Sequence, residues 1–106
     1  MVKEITVQEL NEWVKNGKDF QLIDVREEFE VKIASIGGQL IPLGQILLNH
    51  DKIAKDKDVV IYCRSGRRSA EAILQLENQD NFDNLYNLKG GILEWADEID
   101  PAIEKY

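Results

Sequence analysis

The segment at positions 58–69 reads DVVIYCRSGRRS. Its first half, Asp58 to Cys63 (DVVIYC), is a continuous β-branched run, which predicts a strand buried on both faces at the centre of a parallel sheet. Arg64-Ser65-Gly66 is too polar to continue the strand and predicts a tight loop before a helix. We expect that helix to turn three apolar residues inward, Ala70, Ile73 and Leu74. The segment therefore predicts a strand–loop–helix unit.

Short apolar runs alternate with helical segments on both sides of this unit, as is typical of a parallel sheet covered by helices. Further strands are predicted to end at Ile5 and to span Phe20–Val25, Leu40–Ile41 and Leu85–Leu88. Helices are predicted after the Thr6–Glu9 capping box (with Val7, Leu10, Trp13 and Val14 on one face), over Arg26–Ala34 and Leu43–Ala54, and after Gly90-Gly91. We expect one α/β domain over residues 1–106 with about five short strands.

The charge distribution is uneven. The chain has 106 residues, with 20 acidic against 13 basic ones and a net charge of −7, which disfavours binding to nucleic acids. Three of its four arginines, Arg64, Arg67 and Arg68, lie within five residues of the single cysteine, Cys63, and no acid falls between Val59 and Ala70. An acidic chain therefore carries one locally basic spot around its thiol.

The cysteine and histidine counts exclude several classes of site. One cysteine cannot form an internal disulfide, and one Cys with one His gives no plausible zinc site, so neither a metal nor another cofactor is predicted. The N-terminus lacks the apolar run of a signal peptide, and no segment approaches transmembrane length. We therefore expect a cytoplasmic protein that does not bind membranes.

Cys63 falls at the predicted carboxyl end of a buried strand, which is the edge where open parallel sheets bind ligands. A loop that leads from a strand to a helix can point its backbone N–H groups inward to hold an anion, and Gly66 permits the tight turn. These donors and the nearby arginines favour thiolate over thiol. A lone cysteine is more often a small buried hydrophobe, but the combination of features favours a nucleophile that acts on a small anion.

Four motifs in order resemble those of rhodanese-like sulfurtransferases. The active-site loop of that family resembles Cys63–Ser69 (CRSGRRS). The other three are similar to Leu22–Glu27 (LIDVRE), Ile41–Leu43 (IPL) and Leu88–Trp95 (LKGGILEW). The resemblance implies a rhodanese-like three-layer α/β/α fold, with a parallel sheet of about five strands flanked by helices on both faces. Ser35 stands where such domains commonly have a histidine, and its local effect is left open.

The resemblance also implies an activity. Cys63 would take a sulfane sulfur from a thiosulfate-like donor, become a persulfide, and pass the sulfur to a thiol or cyanide, with a protein as a further possible donor or acceptor. Five loop residues would bind the substrate, namely Arg64, Ser65, Gly66, Arg67 and Arg68; which arginine contacts it stays open. Asp24 and Arg26 would support the site, either by orienting the loop or as a buried polar pair that stabilises the fold.

Two alternatives to a sulfurtransferase enzyme remain. A persulfide carrier or regulatory binding module for a protein partner would share the same site, so the sequence does not separate it from an enzyme. A cysteine phosphatase needs an arginine six residues after the cysteine to clamp phosphate. That position is Ser69 here, and the loop is one residue short for the role, so this alternative is disfavoured.

Overall fold

The computed structural model describes residues 2–106, in which strands and helices alternate along the chain. In order they are β1 (Glu4–Ile5), α1 (Val7–Lys15), β2 (Gln21–Asp24), α2 (Glu28–Ile33), β3 (Gln39–Leu40), β4 (Val59–Tyr62), α3 (Arg67–Asp80), β5 (Leu85–Leu88) and α4 (Gly91–Glu98). Two short 3-10 turns, Leu43–Gln45 and His50–Lys52, lie between β3 and β4. The predicted elements agree with these bounds to within a few residues, apart from the predicted helix over Leu43–Ala54.

All five strands are parallel and follow the spatial order β1-β5-β4-β2-β3. β4 lies at the centre, with Ile61 opposite Ile23 on one side and Asn87 on the other. Every residue of β4 is buried. This confirms that the continuous apolar run is the central strand, because a strand covered on both faces has no solvent side for polar residues.

Alternate residues of β4 point into two separate cores. Val59 and Ile61 face the side covered by α3, and Cys63 continues that row. Val60 and Tyr62 face the side covered by α1 and α4. The period-two alternation of a strand thus builds a three-layer α/β/α domain, and it directs the Cys63 side chain toward the beginning of α3.

The capping box of α1 forms as predicted. The Thr6 hydroxyl accepts from the Glu9 N–H at 3.1 Å, and the Glu9 carboxylate accepts from the Thr6 N–H at 2.9 Å. These bonds satisfy N–H groups that a helix start leaves unpaired. The prediction for the apolar face of α1 is wrong at one position, because Val14 is 56% exposed while Val7 and Leu10 are buried.

Two predictions about helices differ from the structure. Leu43–Ala54 forms two 3-10 turns instead of one helix; its Ile46 is buried, but Leu48 is 83% exposed, so the apolar residues do not share one continuous face. Leu74 is 44% exposed because α3 presents a different stripe to the core. That stripe has the spacing of one helix face and consists of Ser69, Ala72, Ile73 and Leu76.

Candidate active site

Cys63 immediately follows β4, at the carboxyl edge of the sheet, and its side chain is 1% exposed. Two backbone N–H groups point at its sulfur: that of Gly66 donates to Sγ at 3.1 Å and that of Ser69 at 3.4 Å. Gly66 has a φ of 102°, a left-handed conformation that favours glycine, and α3 begins at the next residue. The loop therefore curls around the sulfur with N–H groups directed inward.

The first turn of α4 holds this loop in place through two backbone hydrogen bonds. The Ile92 N–H donates to the Cys63 carbonyl at 3.0 Å, and the Leu93 N–H donates to the Arg64 carbonyl at 3.2 Å. These donors belong to the helix N-terminus, where N–H groups lack intrahelical partners. Because the two loop carbonyls are held toward α4, they point away from the N–H groups that surround Sγ.

The close approach of α4 depends on Gly91. A Cβ atom built at Gly91 would lie 2.5 Å from the carbonyl oxygens of both Cys63 and Arg64, and its φ of 62° is also left-handed. Backbone atoms cannot move aside as a flexible side chain can. The Gly90-Gly91 pair, predicted as a tight turn that opens a helix, is therefore also part of the support of the cysteine loop.

A buried polar pair lies beside the sulfur. The Ser69 hydroxyl oxygen is 3.4 Å from Cys63 Sγ, and the hydroxyl donates to Asn87 Oδ1 at 2.5 Å. The Asn87 amide in turn donates to the Gly66 carbonyl at 3.0 Å. The sequence analysis missed the role of Asn87, although an asparagine in the middle of an otherwise apolar strand was a usable signal.

The three arginines of the loop go to three different places. Arg64 donates to the backbone oxygen of Tyr106 and lies over the Tyr106 ring, 5.1 Å from its centroid. Arg68 makes a two-point ion pair with Glu30, at 2.7 and 2.8 Å. Arg67 is exposed and has no salt bridge within residues 2–106. Of the three, only Arg67 leaves its guanidinium fully available to an anion from solvent.

Asp24 and Arg26 form a buried ion pair at the end of β2. Their side chains are 2% and 0% exposed, and the closest N–O distance is 2.8 Å. The Tyr62 hydroxyl lies 3.0 Å from Asp24 Oδ2, which connects the pair to the residue before Cys63. Burial alone would lower the pKa of Arg26, but its bonds to Asp24 and Tyr106 outweigh burial and raise it. Burial, with the charge of Asp24, raises the pKa of Tyr62 to about 12.

Glu30 on α2 links the Asp24–Arg26 pair to the loop, and no sequence pattern indicated this role. Its carboxylate, 5% exposed, accepts from Arg68, from the Tyr106 hydroxyl at 2.9 Å and from the Glu27 N–H at 2.8 Å. Tyr106 also accepts from Arg26 at 2.9 Å. The bonds from Arg68, with those of the other donors, lower the pKa of Glu30 to about 2.

Glu30 should make the free energy of unfolding depend on pH in the acidic range. Its pKa of about 2 in the folded chain lies below the ordinary 4.5, so its contribution is complete above pH 4.5 and is lost as the pH falls toward 2. That contribution amounts to about 3 kcal/mol. We expect the free energy of unfolding of Glu30→Gln, measured with urea between pH 6 and 2.5, to fall less steeply than that of the wild type. Glu28→Gln, on the exposed side of α2, is the control, and equal slopes for Glu30→Gln and the wild type would contradict this role.

Other candidate features lie outside this region. Within residues 2–106 no three His, Cys, Asp or Glu side chains come together as metal ligands. No helix in the same range combines the length and apolar character needed to cross a bilayer. The Ser35 hydroxyl accepts from the Gly37 N–H at 2.9 Å, so the residue at the usual histidine position stabilises a local turn.

Comparison with known proteins agrees with this geometry. The family model described as a rhodanese-like domain matches residues 6–98. A protein named sulfurtransferase from Allochromatium vinosum is 39% identical over 97 residues, which cover 91% of this chain and 90% of that protein. The probable adenylyltransferase/sulfurtransferase MoeZ of Mycobacterium tuberculosis is 38% identical over 105 residues, but this chain spans only 26% of its length.

Solved structures show the same relationship. The crystal structure of a rhodanese-like domain protein from Staphylococcus aureus superposes with a TM-score of 0.82 at 31% identity, covering 99% of both chains. The five-strand parallel sheet with helices on both faces is therefore the fold of that structure too. On the family match, the full-length relative and the shared fold, this chain belongs to the family of rhodanese-like domains.

Proposed function

We propose that this protein is a sulfurtransferase that moves a sulfane sulfur from a thiosulfate-like donor to a thiol or cyanide through a persulfide on Cys63. The observation that carries the proposal is the pair of backbone N–H groups, from Gly66 and Ser69, aimed at Cys63 Sγ at the carboxyl edge of the sheet. Inward N–H groups favour negative charge on sulfur, which a nucleophilic cysteine requires.

In the first half-reaction, the Cys63 thiolate attacks the outer sulfur of thiosulfate. A bond forms between Sγ and that sulfur, the original S–S bond breaks, and its electron pair leaves with sulfite. The terminal sulfur of the persulfide is anionic and would lie among the N–H groups of the loop formed by Arg64, Ser65 and Gly66. Peptide N–H groups suit this task because they offer a fixed partial positive charge and are too weakly acidic to transfer their proton to the sulfur.

In the second half-reaction, a thiolate or cyanide attacks the terminal sulfur, and the electron pair of the S–S bond returns to Sγ. The acceptor must reach the outer sulfur and not Sγ itself, because only attack at the outer sulfur transfers that atom and leaves the Cys63 thiolate behind. A small anion can reach the outer sulfur directly. A protein acceptor would need to place its thiol at the solvent-facing side of the loop.

Among the arginines, we assign capture of the donor to Arg67. Arg64 and Arg68 are engaged by Tyr106 and Glu30, whereas Arg67 is exposed at the start of α3. Arg68, with Glu30, would anchor the loop to α2. Asp24 and Arg26 would hold the end of β2 against Tyr62 and so support the loop from below.

Arg67→Ala should weaken donor capture selectively. Losing one exposed charge near the site should raise KM for thiosulfate by up to about fivefold and change kcat little, because such charges contribute roughly 0.2–1 kcal/mol. The difference should shrink at high ionic strength, since salt screens exposed charges. Steady-state rates with thiosulfate and cyanide measure both effects.

The matched control is Lys52→Ala, an exposed cation next to the amino end of β2, on the edge of the sheet opposite Cys63. It should leave KM for thiosulfate unchanged. If Arg67→Ala and Lys52→Ala behave alike, the assignment of Arg67 is wrong.

Turnover with small molecules tests the proposed function as a whole. Incubation with thiosulfate and cyanide should produce thiocyanate continuously, in amounts far above one per protein chain. A protein that takes up one sulfur and then stops would instead be a persulfide carrier for a protein partner. The phosphatase alternative is disfavoured further, because Ser69 places a hydroxyl near Sγ at the position where a phosphate clamp needs arginine. A cytoplasmic location stays a prediction.

A further inference from the structure

The hydroxyl of Ser69 and the carboxamide of Asn87 form a buried chain to Cys63 that the proposed function does not yet use. Ser69 is 0% exposed and Asn87 5%. The Ser69 oxygen lies 3.4 Å from Cys63 Sγ and 2.5 Å from Asn87 Oδ1. Because neither side chain is open to bulk water, the single hydroxyl proton has two acceptors within reach, Asn87 Oδ1 and Cys63 Sγ.

The Gly66 carbonyl fixes which way the Asn87 carboxamide points. Asn87 Nδ2 donates to that carbonyl at 3.0 Å; the flipped carboxamide would set two oxygen atoms against each other. Oδ1 must therefore face Ser69, and it can only accept. In the resting protein the Ser69 hydroxyl donates to Asn87, and its lone pairs remain available to the Cys63 thiol.

This arrangement becomes unfavourable when Sγ carries a negative charge, because a hydroxyl lone pair would then face a thiolate. Rotation about the Cβ–Oγ bond of Ser69 removes the conflict and turns the O–H toward Sγ. Hydrogen bonds to a charged acceptor are roughly twice as strong as those between neutral groups. The thiolate should therefore outcompete Asn87 for the hydroxyl proton.

We propose that Ser69 is a catalytic residue of the sulfur-release half-reaction, with its hydroxyl held by Asn87 until the thiolate of Cys63 forms. This inference rests on the proposed persulfide chemistry. The carbon of cyanide bonds to the outer sulfur, the S–S bond breaks, and its electron pair goes to Sγ as thiocyanate leaves. No proton is transferred; the Ser69 hydroxyl changes its acceptor from Asn87 to Sγ.

The two half-reactions should respond differently to loss of this hydroxyl. Sulfur loading begins with the thiolate already stabilised by Ser69, so removing the hydroxyl does not hinder the attack. Sulfur release ends with the thiolate, and its transition state loses a developing hydrogen bond. A purely structural role for Ser69 would slow both half-reactions together.

Rapid mixing followed by intact-mass analysis can measure each half-reaction separately. Loading is followed with thiosulfate, at a pH high enough that a further increase in pH does not raise the loading rate. Release is followed by adding cyanide to persulfidated protein that has been prepared with sodium polysulfide. For Ser69→Ala we expect loading within about twofold of wild type or faster, and release about tenfold slower. The control Ser35→Ala, which removes a hydroxyl outside the chain from Asn87 through Ser69 to Cys63, should keep the ratio of release to loading.

Equal slowing of both half-reactions, or unchanged release, in Ser69→Ala would overturn the inference. Rate constants report only the folded molecules, so partial destabilisation lowers amplitudes alone. If Ser69→Ala does not fold, Asn87→Ala tests the inference instead. In that variant the Ser69 hydroxyl has lost its resting acceptor, so the ratio of the release rate to the loading rate should rise. An unchanged or lower ratio would overturn the inference. A wild type that is not loaded by thiosulfate but releases sulfur from polysulfide-made persulfide would refute the proposed donor and still test Ser69.

Discussion

Cys63→Ser is expected to reduce the rate of thiocyanate formation by more than about a thousandfold, because the variant has no sulfur to form the persulfide. A serine hydroxyl is barely ionised near neutral pH and is a poor nucleophile toward sulfur. The rest of the site should keep its structure, since oxygen is smaller than sulfur and the N–H groups of Gly66 and Ser69 can donate to the serine oxygen. The measurement is steady-state turnover with thiosulfate and cyanide.

The fold of this variant must be verified for the loss to be informative. Cys63 packs in the buried core on the α3 side, so a polar replacement there should lower the unfolding temperature by a few degrees without preventing folding. Circular dichroism and a urea titration supply that control. Turnover that persists in folded Cys63→Ser would mean that sulfur transfer does not pass through this residue.

Gly91→Ala is expected to have the second largest effect, about a hundredfold loss of turnover, although Gly91 touches no substrate. Its new Cβ would lie 2.5 Å from the carbonyl oxygens of Cys63 and Arg64, so the loop or the start of α4 must move. Displacement of a reacting group by about 1 Å can reduce a rate a hundredfold. The strained backbone should also reduce the free energy of unfolding by about 1–3 kcal/mol.

Two other glycines separate the possible causes of that loss. Gly17→Ala carries the same left-handed strain, with a φ of 67°, but a Cβ there meets nothing within 4 Å. Gly44→Ala has neither the strain nor a close neighbour. Both should retain turnover, and only Gly17→Ala should lose stability. Full activity in Gly91→Ala would show that the contact between α4 and the loop does not position the sulfur.

Local sequence signals predicted the part of the site that is local in the chain. The apolar run before Cys63, the polar turn at Gly66 and the capping box at Thr6 each depend on residues close in sequence, and the structure has all three. The central place of β4 also follows from its own residues, because a strand with no polar position must be covered on both faces.

The supports of the loop come from distant parts of the chain, and the sequence did not reveal them. Glu30 contacts Arg68 across 38 positions, and Tyr106 contacts Arg64 across 42. No local pattern marks such pairs, so three neighbouring arginines were interpreted as one basic cluster. The structure instead assigns two of them to fixed partners and leaves Arg67 exposed.

The segment Leu43–Ala54 shows a second limit. Its apolar spacing indicated a helix, but Gly44 near its start disfavours a regular helix, and the chain makes 3-10 turns that bury Ile46 and Ile53. Periodicity alone likewise did not predict which face of α3 packs against the core. Leu74 fits an apolar stripe, yet the helix is rotated so that Ser69 faces Cys63.

The most direct test of the central claim is the intact mass of the purified, fully reduced protein after brief treatment with thiosulfate. The account predicts a gain of one sulfur atom on the wild type, its removal by cyanide, and no gain on Cys63→Ser treated in parallel. A wild type that gains no sulfur, or a Cys63→Ser variant that gains as much as the wild type, would contradict sulfur transfer from thiosulfate through a Cys63 persulfide.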